Sequence, residues 1–282
     1  MCKDNNNTVI TQMNQILNRW KDYFETIPNI DTDNSSSNLR IQPTTSDNQT
    51  DAHIQPSSYN EVWSIINKPK SNKARGTDNI IPELIKHGGR TLEQRIYKLT
   101  LMIWEKEQLL NQWKEGIIFL VYKKGYRLCC TNCRAITLLN VPYKIFAIIL
   151  NQRLVDTIQT ELGDCQTGFR PNRSKIDNIF MIRQITEKCY EYNIDINNIF
   201  IDYTHTFDSI KRHKILDSLI QYKIPPKLIR LVKLTLENTT ANVKVNNVYT
   251  SEFRVESGVK QEEPLSPVLF SPVIDPAQRN WT

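Results

Sequence analysis

One stretch constrains this chain more than any other: Asn198-Ile199-Phe200-Ile201-Asp202-Tyr203-Thr204-His205-Thr206-Phe207-Asp208. Ile199 and Ile201 alternate with Phe200 and Asp202, the period of a largely buried strand that delivers one carboxylate at its end. A carboxylate so placed can fix a metal ion beside a phosphate. A lone Asp after an apolar run also serves as a strand terminator or helix cap, and on this stretch alone both readings stand. The flanks must decide between them.

Before this stretch, apolar spacings of three and four (Ile16, Leu17, Trp20, Tyr23, Phe24, Ile27) predict an amphipathic helix over residues 8–27. Residues 28–58 are mostly Asn, Ser, Thr, Asp and Gln. They cannot bury enough surface to offset their ordering entropy, so a disordered linker is expected there, with order starting at Tyr59. Helices are then predicted at residues 59–67, 92–110, 142–162, 174–190, 210–220 and 228–236, the fourth opened by a Ser174–Asp177 capping box. Residues 117–122 and 136–139 read as strands, and 241–245 with 248–250 flank a hairpin turn at Asn246-Asn247.

Three charged loops stand out. Lys68 to Gly76 is basic and too broken by Pro69 and Gly76 to be helical. Lys123-Lys124-Gly125 and Arg134 mark facing ends of two strands, either a triphosphate clamp or a solvated hairpin tip. Gln166-Thr167-Gly168-Phe169-Arg170 mixes a cation with an aromatic ring, as pairing with a phosphate backbone and base stacking require.

The chain has 282 residues, a net charge of +6 and a pI near 8.9, which mildly favours a polyanionic partner. No apolar run approaches the ~20 residues of a membrane span, and Met1-Cys2-Lys3-Asp4 does not begin a signal peptide. Six scattered cysteines suggest no secreted disulfide framework, and the single CxxC of Cys130 and Cys133 lacks partners for zinc. They are read as reduced thiols. An intracellular protein, cytoplasmic or nuclear and not secreted, is therefore expected. Nothing in the sequence sets an oligomeric state.

In order and spacing, a series of blocks resembles the reverse transcriptase domain of non-LTR (LINE-type) retrotransposons. They are Gly76-Thr77-Asp78 with Pro82-Glu83-Leu84-Ile85-Lys86, Tyr122-Lys123-Lys124-Gly125, Asn132-Cys133-Arg134-Ala135-Ile136, Gln166 to Arg170, Phe200-Ile201-Asp202 with Phe207-Asp208, and Gly258-Val259-Lys260-Gln261 with Pro264-Leu265-Ser266-Pro267. The likeness runs from Arg19 to Phe270, interrupted by the polar linker. It implies an α+β fold: the fingers and partial palm of a right-hand polymerase, with an antiparallel palm sheet packed on helices and no thumb. Residues 1–27 would be a helical N-terminal region, 28–58 the linker, 59–270 the polymerase part, and 271–282 an unmatched tail. Asp202 would be the first catalytic aspartate and, with the carbonyl of Tyr203, a ligand of two Mg²⁺ ions. Lys124, Arg134, Phe207 and Gln261 would contact the deoxynucleotide, and Gln166, Gly168, Phe169 and Arg170 the RNA template and DNA primer.

The sequence departs from that pattern where activity is decided. The family carries an Asp-Asp turn after Gln261, and no Asp-Asp pair occurs in these 282 residues. Asp275, flanked by prolines, is a poor substitute. Glu262 stands where the family has Gly, and Thr206, Tyr126 and Cys133 replace the usual Ala, Asp and Tyr. The expected function is a fragment of an RNA-directed DNA polymerase that does not catalyse two-metal nucleotidyl transfer by itself. The alternative is a non-catalytic RNA- or DNA-binding protein derived from a retrotransposon.

Overall fold

The structure, a computed structural model, describes residues 1–4, 6–26, 54–68, 73–164, 166–202 and 206–279. The expected linker lies mostly outside these residues. Its last five residues are described: Ile54 packs against the largest core cluster, Ser57 is buried, and the Ser58 hydroxyl accepts from Glu61 N at 3.2 Å. That bond caps the next helix, so the linker's last residues are held by helix capping and burial that composition does not reveal.

The chain opens with two short strands, β1 (Cys2–Lys3) and β2 (Val9–Ile10), and α1 (Met13–Thr26). Then come α2 (Tyr59–Asn67), α3 (Pro82–Lys86), α4 (Gly89–Lys106), β3 (Glu115–Tyr122), β4 (Cys133–Leu138), α5 (Val141–Ile158) and α6 (Lys175–Glu191). The rest holds α7 (Thr206–Ser209), α8 (Arg212–Gln221), α9 (Pro226–Leu236), β5 (Thr239–Val245), β6 (Val248–Tyr249), β7 (Phe253–Val255) and α10 (Ser266–Arg279).

Strands β3 to β7 form one sheet in the order β4-β3-β5-β6, with β7 also paired to β5. It is a mixed sheet rather than an antiparallel one, because β3 and β5 run parallel. A parallel pair needs a long crossover, and helices α5 to α9 supply it. The expected hairpin between β5 and β6 is present, with Asn246 and Asn247 both at positive φ, as a tight primed turn requires. Period-two alternation gives the sheet two unlike faces. Ile118, Ala135, Ala241, Val243 and Phe253 pack under Trp20 and Phe24 of α1, which joins the N-terminal helix to the body of the fold. Phe119, Val121, Ile136 and Lys244 point the other way.

The main core surrounds α5, whose Tyr143, Phe146, Leu150 and Leu154 are fully buried against α8, α9 and α10. Helix α10 also absorbs most of the expected tail. Its Asp275 carboxylate is buried and accepts from Gly163 N at 3.2 Å and from the Tyr222 hydroxyl, which gives it a structural role.

The predicted strand at Asn198–Asp202 does not form. Residues 194–202 carry no regular structure, and Ile199 and Phe200 are 82% and 83% exposed. Strand propensity becomes a strand only beside a partner, and no strand among the described residues pairs with this segment. Helix α6 does form but is likewise unpacked. The Ser174–Asp177 capping box forms, but no α6 side chain is buried.

Candidate nucleotide and nucleic-acid site

A cleft of about 360 Å³ opens at the edge of the sheet, within the roughly 300–1,000 Å³ of small-molecule sites. Arg134 enters it from β4, Phe169 from the loop after α5, Phe207 from α7, and Gln261, Glu262 and Pro264 from the loop before α10. Backbone bonds hold these elements together. Gly258 N donates to Ile210 O and Val259 N to Phe207 O, each at 2.7 Å, and Thr137 N donates to Gln261 O at 3.2 Å. Gly258 has φ +77, and a Cβ there would fall 2.5 Å from Asp208 O, so this approach requires glycine. Gln261 Nε2 donates to both Asp208 carboxylate oxygens, at 2.9 and 3.1 Å. The Phe207 ring lies 4.9 Å from Phe270 and edge-on to Phe169 at 6.2 Å.

Behind the cleft lies a buried polar cluster. Arg212 Nε donates to Gly258 O at 3.1 Å, and its Nη1 donates to Leu236 O. Burial lowers the Arg212 guanidinium to about 10 and also lowers the Lys260 ammonium. Lys260 sits 4.9 Å over the Tyr143 ring and finds no hydrogen-bond partner among the described residues. The Tyr143 hydroxyl donates to Glu263; burial, then the Glu263 charge, pushes its pKa well up. These groups brace the loop from beneath.

A larger groove of about 860 Å³ runs along the same sheet face. Phe119, Val121, Ile136, Leu138 and Tyr249 give it an apolar wall, and Lys68, Lys73, Arg75, Lys144 and Lys244 supply positive charge. Burial, then the charge of Lys73, lowers the Lys144 ammonium. Glu262 and Pro264 line both groove and cleft, so the two meet there. Glu262 has φ +70, a left-handed backbone that suits Gly.

The structure thus gathers Arg134, Phe169, Phe207 and Gln261, which are far apart in sequence. Lys124 sits exposed on the β3–β4 turn and lines neither cavity. Gln166 is buried, its Nε2 donating to Gly168 O at 3.2 Å. Arg170 is committed to the backbone: it donates to Gly163 O at 2.7 Å, Gln159 O at 3.1 Å and Gln166 O at 3.2 Å. That satisfies carbonyls beyond the end of α5, a helix-terminus role.

Asp202 is exposed and lines neither cavity, and Tyr203 lies outside the described residues. No group of three or more His, Cys, Asp or Glu among the described residues could hold a metal ion. The donors among the described residues do not fit a two-metal centre. Sequence reasoning also missed Lys144, Lys244 and the grip of Asp208 on Gln261. Lys244 was within reach, since alternation with Ala241 and Val243 turns it to the Phe119 face.

The reverse transcriptase (RNA-dependent DNA polymerase) family matches residues 121–282, more than half of the chain. The chain belongs to that family. Among its relatives is the Xenopus laevis transposon TX1 uncharacterized 149 kDa protein, 24% identical over 83% of this chain and 18% of that protein. The probable RNA-directed DNA polymerase from transposon X-element of Drosophila melanogaster is 28% identical over 79% of this chain and 25% of its own length. The Pol polyprotein from retrotransposable element R2DM of the same fly is 25% identical over 77% and 21%. These likenesses make this a reverse transcriptase domain of the non-LTR retrotransposon type. It spans about a fifth to a quarter of those relatives. The family match also takes in residues 271–282, which the resemblance by motif had left out.

Proposed function

We propose that this reverse transcriptase domain supplies the fingers and first part of the palm of a right-hand polymerase, and that by itself it binds nucleic acid without extending it. The observation that carries this reading is the meeting of groove and cleft at Glu262 and Pro264. Single-stranded template RNA would lie in the groove, its phosphates against Lys68, Lys73, Arg75, Lys144 and Lys244 and its bases against Phe119 and Tyr249. The end of a DNA primer and a deoxynucleotide would meet at the cleft. There Arg134 would face phosphate charge, Phe207 would close off the sugar, and Gln261, held by Asp208, would face the base pair. Nucleotidyl transfer in the family rests on metal ions between paired carboxylates, which Asp202 alone does not provide.

Filter binding of single-stranded RNA across a salt series, beside primer extension on an RNA template with deoxynucleotides and Mg²⁺, tests this. Salt-sensitive binding with a slope near −3.5, about −0.7 for each of five engaged cations, and no extension is the expected outcome. Extension abolished by Asp202→Ala would overturn the non-catalytic reading. Binding indifferent to salt would overturn the groove assignment.

A further inference from the structure

The proposed function uses none of the cysteines, yet the fold brings distant ones together. Cys2 and Cys130 are both buried in the one cluster formed by α1 and the sheet. Cys133 packs against the same cluster. Both thiols are free.

Backbone contacts hold this pair, so it is not a chance meeting of flexible side chains. Lys3 N donates to Leu128 O at 2.8 Å, which fixes Cys2 beside the turn that carries Cys130. Arg19 Nε donates to Lys3 O at 3.2 Å, and β2 pairs Cys2 with Ile10. On the outer side the Lys3 ammonium lies 4.7 Å over the Tyr126 ring. A disulfide needs two cysteines whose Cβ atoms can approach to about 4 Å, and a backbone contact two residues from Cys130 holds Cys2 at the same turn.

We infer that Cys2 and Cys130 are a disulfide-forming pair, oxidised by a small-molecule disulfide of the glutathione class, and that the bond staples β1 to the turn before β4. That turn carries Lys124 and leads into Arg134 of the cleft, so the staple stiffens one wall of the candidate nucleotide site. The pairing itself does not depend on the proposed function.

The exchange balances in two steps. The Cys2 thiolate attacks one sulfur of oxidised glutathione, forming a mixed disulfide and releasing one glutathione thiolate. The Cys130 thiolate then attacks the Cys2 sulfur and releases the second. Two protein thiols are oxidised, one small disulfide is reduced, and the two protons leave with the two glutathione molecules. Burial pushes both thiols up, Cys130 to about 12, so attack waits on the opening of β1. Cys130 is pushed up the further of the two, which makes Cys2 the first attacker. The reaction is therefore slow, on the order of hours.

The test is peptide mapping of the full chain after incubation with oxidised glutathione, acid quenching, alkylation under denaturing conditions and tryptic digestion without reductant. Met1-Cys2-Lys3 linked through Cys130 to the peptide from Leu128 to Arg134 is the expected product, lost on dithiothreitol and absent in Cys2→Ser and Cys130→Ser. Because the wild-type map is decisive, the result does not hang on whether either variant folds. The oxidised protein should melt roughly 5–15 °C higher than the reduced one, given the usual stabilisation by closure of a long loop. Linkage of Cys130 to Cys133, or glutathione adducts with Cys2 left alkylated, would overturn the pairing. An unchanged melting temperature in a fully cross-linked sample would overturn the staple.

Discussion

Replacing Glu262 by glycine should improve both stability and RNA binding, for separable reasons. The residue stands at φ +70, where an L side chain costs roughly 1–2 kcal/mol. Glycine's extra freedom in the unfolded chain takes back about 0.4–1 kcal/mol. A net gain of about 0.5–1 kcal/mol remains, a rise in melting temperature of about 1–4 °C for a domain of this size. The binding gain comes from charge. Glu262 is exposed on the wall shared by groove and cleft, and a unit charge roughly 7 Å from a phosphate in water costs about 0.6 kcal/mol. Its removal should tighten RNA binding about threefold at low salt, an effect that fades toward 1 M salt, where screening acts within ~3 Å. Glu262→Ala separates the two causes, since it removes the charge but keeps a Cβ at positive φ. It should match the glycine variant in binding but not in melting temperature. Calorimetry and filter binding on the three proteins give both readouts. If Glu262→Gly melts lower than the wild type, the strain argument fails; if the alanine variant binds no better, the charge argument fails.

Three further outcomes follow from the same geometry. Lys73→Ala combined with Lys244→Ala should make the salt dependence of RNA binding shallower by about 1.4 units, two engaged cations at about 0.7 each; an unchanged slope would remove both from the interface. Arg170→Met strips three donated bonds from carbonyls near the end of α5 and should cost about 2–3 kcal/mol in chemical denaturation, with RNA affinity of the folded protein unchanged. Loss of affinity without loss of stability would restore Arg170 to the template surface. Glu107 sets an acid limit: burial pushes its carboxyl up, but bonds from Arg230 and Lys227 outweigh that and hold it below its ordinary 4.5. Its stabilising contribution is complete above about pH 4.5 and is lost as pH falls through the lowered value. Stability curves of the wild type and Glu107→Gln should therefore converge in acid and separate toward neutral pH.

Much of the local structure was legible because its causes are local. The Ser174–Asp177 box caps α6, Asn246-Asn247 turns the β5–β6 hairpin, and the spacing of Trp20 and Phe24 makes α1 amphipathic. The gathering of Arg134, Phe169, Phe207 and Gln261 into one cleft was legible only through the motif resemblance, which carries the imprint of a tertiary fold. The backbone bonds of Arg170 were not legible, because a cation in a polar loop looks alike whether it faces phosphate or a helix end. Lys144 gave no signal, since a single lysine in an apolar helix is ordinary until the opposite wall is known.

The stretch ending at Asp202 marks the boundary between the two kinds of information. The order of residues by itself determined its alternation, its single carboxylate, the five-residue step to Phe207 and the lack of any Asp-Asp pair in the chain. Only the tertiary structure decided that Phe207 is packed and positioned while Ile199 and Phe200 stand in solvent. The reason is pairing. Phe207 is clamped by the loop at Gly258 and Val259, whereas residues 198–202 have no neighbouring strand among the described residues to take their backbone bonds. A strand is a property of two segments, and sequence periodicity reports on one.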